Sequence, residues 1–196
     1  MEEKKKNELW IRDARPDDVE RLLAIYGYYV ENTAVSFEYA VPEKEEFLRR
    51  MQKITKRYPY LAAGMGEEIL GFAYAGPFIE RAAYDWSVEL TIYLDPTAQG
   101  RGLGRKLYEE LIGRLKAAGI LNLYACIADP ETEDEYLTKA SVHFHERLGF
   151  KTAGRFHKCG FKFGRWYDMV WMERILGEHR SGEGIAPDHF SGKGRK

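Results

Sequence analysis

Apolar positions along the chain switch between a helical period and a strand period. Val19, Leu22, Leu23, Tyr26, Tyr29 and Val30 form one helical face after Pro16-Asp17-Asp18, a proline and two acids suited to a first turn. The same grammar predicts a second helix from Pro42 to about Lys56, with Phe47, Leu48, Met51 and Ile54 on its apolar side. Short alternating or apolar runs predict strands at 9–15, 60–64, 69–75 and 86–94, with a hairpin turn at Gly66-Glu67-Glu68. Leu103, Leu107, Leu111 and Leu115 repeat every fourth residue and predict a helix that closes at Ala117-Ala118-Gly119. A strand at 121–128, a helix at 138–148 and strands at 150–156 and 165–172 follow. The last two are joined by a glycine-bearing turn around Gly160 and Gly164. The order β-α-α-β-β-β-α-β-α-β-β describes a single-domain α/β fold (α+β mixed). Residues 1–8 read as a solvated lead-in, 9–176 as the domain, and 177–196, rich in Gly, Ser and charge, as a mobile tail.

Composition narrows the class. With 44% of 196 residues apolar, the core is large enough to need neither disulfide nor metal. A net charge of −1 argues against general binding to nucleic acid or an anionic membrane. Two cysteines, Cys126 and Cys159, suggest a reducing cytosol and no disulfide. The charged start has no apolar signal region, and no run approaches the roughly 20 residues of a membrane span. The expectation is a cytoplasmic protein. No His/Cys spacing suggests a metal.

The chemistry concentrates at Gln99-Gly100-Arg101-Gly102-Leu103-Gly104, between the strand at 86–94 and the helix that opens at Leu103. A glycine turn opening a helix presents unpaired N–H groups and the positive end of the helix dipole, which together bind phosphate. Gly104-Arg105-Lys106-Leu107 lacks the Gly-Lys-Ser/Thr of a Walker A loop, and G-x-G-x-G is one residue short of the dinucleotide fingerprint. Arg101, Arg105 and Lys106 are available to offset phosphate charge; the plainer reading of all three is a solvated helix start.

Gln99-x-x-Gly102-x-Gly104, with the later Phe144-His145-Glu146-Arg147-Leu148-Gly149-Phe150, resembles the GNAT N-acetyltransferases. Tyr74-Ala75-Gly76-Pro77, the stretch from Ala83 to Glu89, and Gly160-x-Lys162-x-Gly164-x-Trp166-x-Asp168 are similar to the phosphinothricin and methionine sulfoximine acetyltransferase branch. The resemblance implies a central mixed twisted sheet of about seven strands with helices on both faces, acetyl-CoA as cosubstrate and a homodimer. It also implies that the backbone of Ile92, Tyr93 and Leu94 pairs with the pantetheine arm. Gln99, Gly100, Arg101, Gly102, Leu103, Gly104 and Arg105 would then hold the diphosphate, with Ser141 nearby. Phe37, Arg81, Tyr84 and Lys162 fall on the acceptor side, where an arginine fork suits a carboxylate.

Glu89, an acid in an otherwise apolar strand, is the candidate general base. The plainer alternative is a wet face or an arginine partner. His145, where many relatives carry tyrosine, is the second catalytic candidate, as base or as acid toward the leaving thiolate. Two departures from the branch stand out, the first of which weakens the case for a phosphinate acceptor. Ile79 stands where the branch carries a cation, and Thr138 replaces an asparagine beside a longer acidic loop at 129–135. That loop is expected away from the phosphates and facing the acceptor. The sequence favours acetyl transfer to a small amino-acid-like amine. The alternatives are a protein N-terminal acetyltransferase and a non-catalytic acyl-CoA-binding dimeric protein.

Overall fold

A computed structural model describes residues 9–181. The segment expected at 1–8 and the tail from 182 onward lie outside the described residues. Strands β1 (Leu9–Asp13), β2 (Tyr60–Met65), β3 (Glu68–Pro77), β4 (Ser87–Leu94), β5 (Asn122–Asp129), β6 (Lys151–Lys162) and β7 (Arg165–Ile175) form one sheet in the order β1-β2-β3-β4-β5-β7-β6. All neighbours are antiparallel except β4 and β5. Helices α1 (Val19–Asn32) and α2 (Lys44–Thr55) cover one face; α3 (Leu103–Ala117) and α4 (Ala140–Arg147) cover the other.

The alternation along β2 shows why one sheet needs both layers. Tyr60 and Ala62 join the core under α1 and α2, whereas Leu61 and Ala63 join the core under α3. Successive strand residues point to opposite faces, so burial of every position requires cover on both. The leucine row of α3 is fully buried at Leu107, Leu111 and Leu115, as its four-residue spacing predicts.

Two stretches differ from the sequence expectation. Helix α4 begins at Ala140, leaving Thr138 in the preceding loop. Strand β6 runs to Lys162, and the turn sits at Phe163 and Gly164, both with positive φ. Gly160 is therefore a strand residue. It lies beside a register shift between Phe156 and Gly160, and a Cβ there would collide with the Phe37 ring. Its small size admits a neighbour instead of bending the chain.

Gly160→Ala is expected to cost about 1–3 kcal/mol by overpacking against Phe37. Gly154→Ala on the same strand, where an added Cβ meets nothing within 4 Å, should stay within about 0.5 kcal/mol of wild type. Urea melts of the two variants check this.

Candidate active site

The site begins where two strands part. Strand β4 pairs with β5 at Ser87–Asn122, Val88–Leu123 and Glu89–Tyr124, and the pairing ends there. Beyond Glu89, β4 stays with β3 as far as Leu94–Gly71, while β5 stays with β7 as far as Asp129–Asp168. Each strand follows its outer neighbour, so a cleft opens between them. It leaves the inner edge of Leu90 to Leu94 without a strand partner.

Two adjoining cavities fill the cleft. The larger, about 420 Å³, is lined by Tyr28, Leu94, Gly100, Thr138 and Phe144 among others. The smaller, about 200 Å³, is lined by Glu89, Thr91, Tyr108, Cys126 and His145. Val35, Ile92 and Ser141 border both. The larger volume is in the range of small-molecule sites.

The glycine loop closes the outer end. Gly100 and Gly102 have φ of +73° and +77°, a conformation that side-chain-bearing residues rarely adopt, and nothing lies within 4 Å of a Cβ at either. Gly102 is the N-cap of α3 and provides no side-chain cap, so the first-turn amides of α3 have no intrahelical or capping partner. Helix α1 braces the loop. The Tyr29 hydroxyl donates to the Leu94 carbonyl at 2.6 Å, and Gln99 Nε2 donates to the Tyr29 hydroxyl at 2.9 Å. Gln99 thus anchors the loop to α1. Arg105 pairs with Glu109 on the surface of α3 at 2.9 Å. Positive φ, free amides and an open space above them fit a diphosphate.

At the inner end, burial alone raises the Glu89 carboxyl above its ordinary range. That shift moves it toward the pKa of a useful base. Cys126, two residues along β5 from the partner of Glu89, is a free, exposed thiol on the wall of the smaller cavity.

His145 is only 3% exposed. Its Nδ1 lies 2.8 Å from the Ser141 carbonyl and its Nε2 lies 3.0 Å from the Tyr108 hydroxyl. A carbonyl only accepts, so Nδ1 carries the proton and Nε2 accepts from Tyr108. Burial lowers the imidazole pKa to about 4. With Nδ1 protonated and Nε2 accepting from Tyr108, the neutral ring holds no Nε2 proton to give to a thiolate.

The acceptor-side residues separate. Lys162 is 2% exposed, and its ammonium donates to the carbonyls of Val30 (2.7 Å), Thr33 (2.9 Å) and Ser36 (2.6 Å). All three donors are used, so the expected substrate contact by Lys162 is replaced by a structural tie between the β6–β7 hairpin and the end of α1. Phe37 packs on Gly160 and, at 6.4 Å between ring centroids, on Tyr167; it lines neither cavity. Arg81 and Tyr84 are exposed beside the start of β4, also outside both cavities, with Tyr84 edge-on to Phe78. Trp166 is 61% exposed and leans on Phe161.

Of the acidic loop at 129–135, Glu135 lines the larger cavity with Gln99 and Gly100, followed by Tyr136 and Thr138. Arg165 offsets two of the loop's acids, binding Glu135 through two bonds of 2.8 and 2.9 Å and Asp134 at 2.9 Å. Sequence reasoning missed Tyr108, Tyr29 and Arg165. The first two read as ordinary members of apolar helix faces, and the third meets its acids 30 residues away in the chain.

The acetyltransferase (GNAT) domain family matches residues 11–171. The chain belongs to that family. It is 34% identical over 164 residues to the phosphinothricin N-acetyltransferase of Streptomyces viridochromogenes, covering 84% of this chain and 86% of that protein. It is also 34% identical to the L-methionine sulfoximine/L-methionine sulfone acetyltransferase of Pseudomonas paraeruginosa, covering 87% of this chain and 96% of that one. A crystal structure of the phosphinothricin acetyltransferase of Sinorhizobium meliloti with acetyl-CoA superposes with a TM-score of 0.82 at 36% identity, covering 92% and 96% of the two chains. The protein is an acetyl-CoA-dependent N-acetyltransferase.

The His145 environment has a consequence for stability. Between about pH 4 and 6.5 the unfolded chain takes up a proton that the folded protein refuses. This contribution is therefore full above about pH 6.5 and is lost as pH falls. Acidification from about pH 7 to 5 should cost about 2 kcal/mol through this group, and His145→Gln should remove that part of the pH dependence. Urea melts at both pH values measure the difference.

Proposed function

We propose that the chain transfers the acetyl group to the amine of a small amino acid or amino-acid analogue, by direct attack with Glu89 as general base. The observation that carries this is the position of Glu89. Its half-buried carboxylate, with raised pKa, stands at the point where β4 and β5 part, at the inner end of a cleft that leads to the glycine loop. Acetyl-CoA supplies an acyl carbon activated as a thioester. The first-turn amides of α3 and the backbone of Gly100 to Gly102 hold the diphosphate; Arg101 and Lys106 stand by as surface counter-charges. The inner edge of Ile92, Tyr93 and Leu94 pairs with the pantetheine arm as an added strand would. This places the thioester beside Glu89, which removes the amine proton directly or through one water.

Relatives named for phosphinothricin and for methionine sulfoximine support an acceptor that is amino-acid-like. Arg81 makes no side-chain hydrogen bond or ion pair with the described residues, so its fork is open to an acceptor carboxylate. Ile79, where the branch carries a cation, argues for an acceptor without a phosphinate. We further infer a cytosolic homodimer. The exposed Phe156, Phe161, Phe163 and Trp166 on the β6–β7 hairpin support a partner copy there.

A thiol-release assay across free amino acids, phosphinothricin, L-methionine sulfoximine and an alanine-ended peptide tests the acceptor class. Release with free amino acids or analogues is expected; release with the peptide alone would favour a protein N-terminal acetyltransferase. Glu89→Gln should leave acetyl-CoA affinity within about twofold, since the carboxylate is remote from the diphosphate loop. It should lower kcat by about 10²–10³, the scale of a lost general base.

A further inference from the structure

The hydroxyls of four tyrosines between the sheet and helices α1 and α2 take no part in the chemistry above. Val88 and Leu90 belong to the core under α3, so Glu89, Thr91 and Tyr93 point to the other face of β4. On β3, Gly76 stands opposite Glu89 and Tyr74 opposite Thr91. A Cβ on Gly76 would meet nothing within 4 Å, so the space beside Glu89 on that face is open. Tyr74 and Tyr93 line the Glu89 cavity, and they also line a separate chamber of about 70 Å³ with Tyr26, Tyr60 and Arg50. Neither the Tyr60 nor the Tyr93 hydroxyl has a hydrogen-bond partner among the described residues. The enclosed side-chain polar atom that lacks a partner there is Asp129 Oδ1, so both tyrosine hydroxyls open on the voids they line. At the rim, Tyr26 shares a 3.0 Å bond with Ser36, and Arg50 bonds Glu38 at 2.6 Å, both side chains of that pair reaching solvent. Burial raises the Tyr74 phenol above its ordinary range; a bond with Thr91 lowers it, and the Glu89 and Glu38 charges raise it while that of Arg50 lowers it. The Tyr74 oxygen is thus within reach of Glu89 on one side and of the Glu38–Arg50 pair on the other.

We propose that this tyrosine chamber is the exit for the proton that each turnover releases, with Tyr74 relaying it from Glu89 to water in the chamber and Glu38 passing it to solvent. The inference rests on the reading of Glu89 as general base. An amino-acid acceptor is an ammonium near neutral pH. Glu89 takes one of its protons, which frees the nitrogen lone pair for the acyl carbon. As the carbon–nitrogen bond forms and the carbon–sulfur bond breaks, a second proton leaves nitrogen and is balanced by the one that sulfur gains. One proton per turnover is left on Glu89, and cosubstrate and acceptor then fill the cleft around it. The Tyr74 oxygen accepts that proton from the Glu89 carboxyl while its own hydrogen passes to chamber water, so the phenol never ionises. The chamber has polar walls and room for about two waters, with the Tyr60 and Tyr93 hydroxyls free to hold them. From there the proton reaches the Glu38 carboxylate, and solvent resets it. The other titratable groups on the Glu89 cavity offer no such exit. Tyr108 and His145 are enclosed and bonded to each other, and Cys126 is a thiol, a weak hydrogen-bonding group.

The pH dependence of Tyr74→Phe and Tyr60→Phe tests this. Each keeps its ring and removes one hydroxyl, the first at the relay and the second further along the chamber. With L-methionine sulfoximine as acceptor, either variant should lower kcat about tenfold at about pH 7, with acetyl-CoA affinity unchanged. At about pH 9.5 much of the acceptor arrives already neutral and brings no proton to export, so the loss should shrink to within about twofold. A loss of equal size at both pH values would show a packing role and overturn the proposal, as would no loss at either. If one variant does not fold, the other gives the same comparison. Absence of thiol release from wild-type protein that binds acetyl-CoA, with every amino acid offered, would instead sink the acceptor reading. Turnover unchanged in Glu89→Gln would sink the general base on which the proposal stands.

Discussion

The structure depends on one interrupted ladder. Among the described residues, strands β4 and β5 are the only parallel neighbours, and they share three residue pairs before separating. A closed sheet at this position would satisfy its own backbone and leave nowhere to bind. The interruption costs the inner edge of β4 its partners, and buried backbone groups without partners are expensive. An extended ligand arm that supplies those hydrogen bonds recovers the loss. The same opening exposes Glu89 to a cavity while its neighbours Val88 and Leu90 stay in the core.

The rest of the fold holds that opening in register with the glycine loop. Helix α1 contributes Tyr29, which bonds the last carbonyl of β4 and the first side chain of the loop. Arg21 on the same helix pairs at 2.7 Å with Asp95, whose side chain also accepts from the Thr97 amide. On the far side, Lys162 ties the β6–β7 hairpin to three carbonyls at the end of α1. These contacts join the two walls of the cleft through α1. The separation between the glycine loop and Glu89 is thereby set by packed helix and strand, with little left to loop flexibility.

Local pattern made much of this readable. The four-residue leucine spacing of α3 and the glycines ahead of it specified a helix and its glycine-opened N-terminus. Glu89 stood out because an acid in an apolar strand needs a reason. What escaped was set by pairing across distance. Tyr108 follows Leu107 in a face that periodicity assigns to the core, and only the fold brings His145 to its hydroxyl. Lys162 looked like an acceptor contact until three carbonyls from a segment 126 to 132 residues earlier closed around it. The pairing of two of the acidic loop's carboxylates with Arg165 was not readable either, because that arginine lies on β7, 30 residues on. Gly160 read as a turn because its true reason, the ring of Phe37, is remote in sequence.

Amide hydrogen exchange with and without acetyl-CoA tests the central claim most directly. The account predicts that binding slows exchange in two separate stretches, the open edge at 90–94 and the loop with the first turn of α3 at 100–105. Protection of the loop without the strand edge, or of neither, would contradict it.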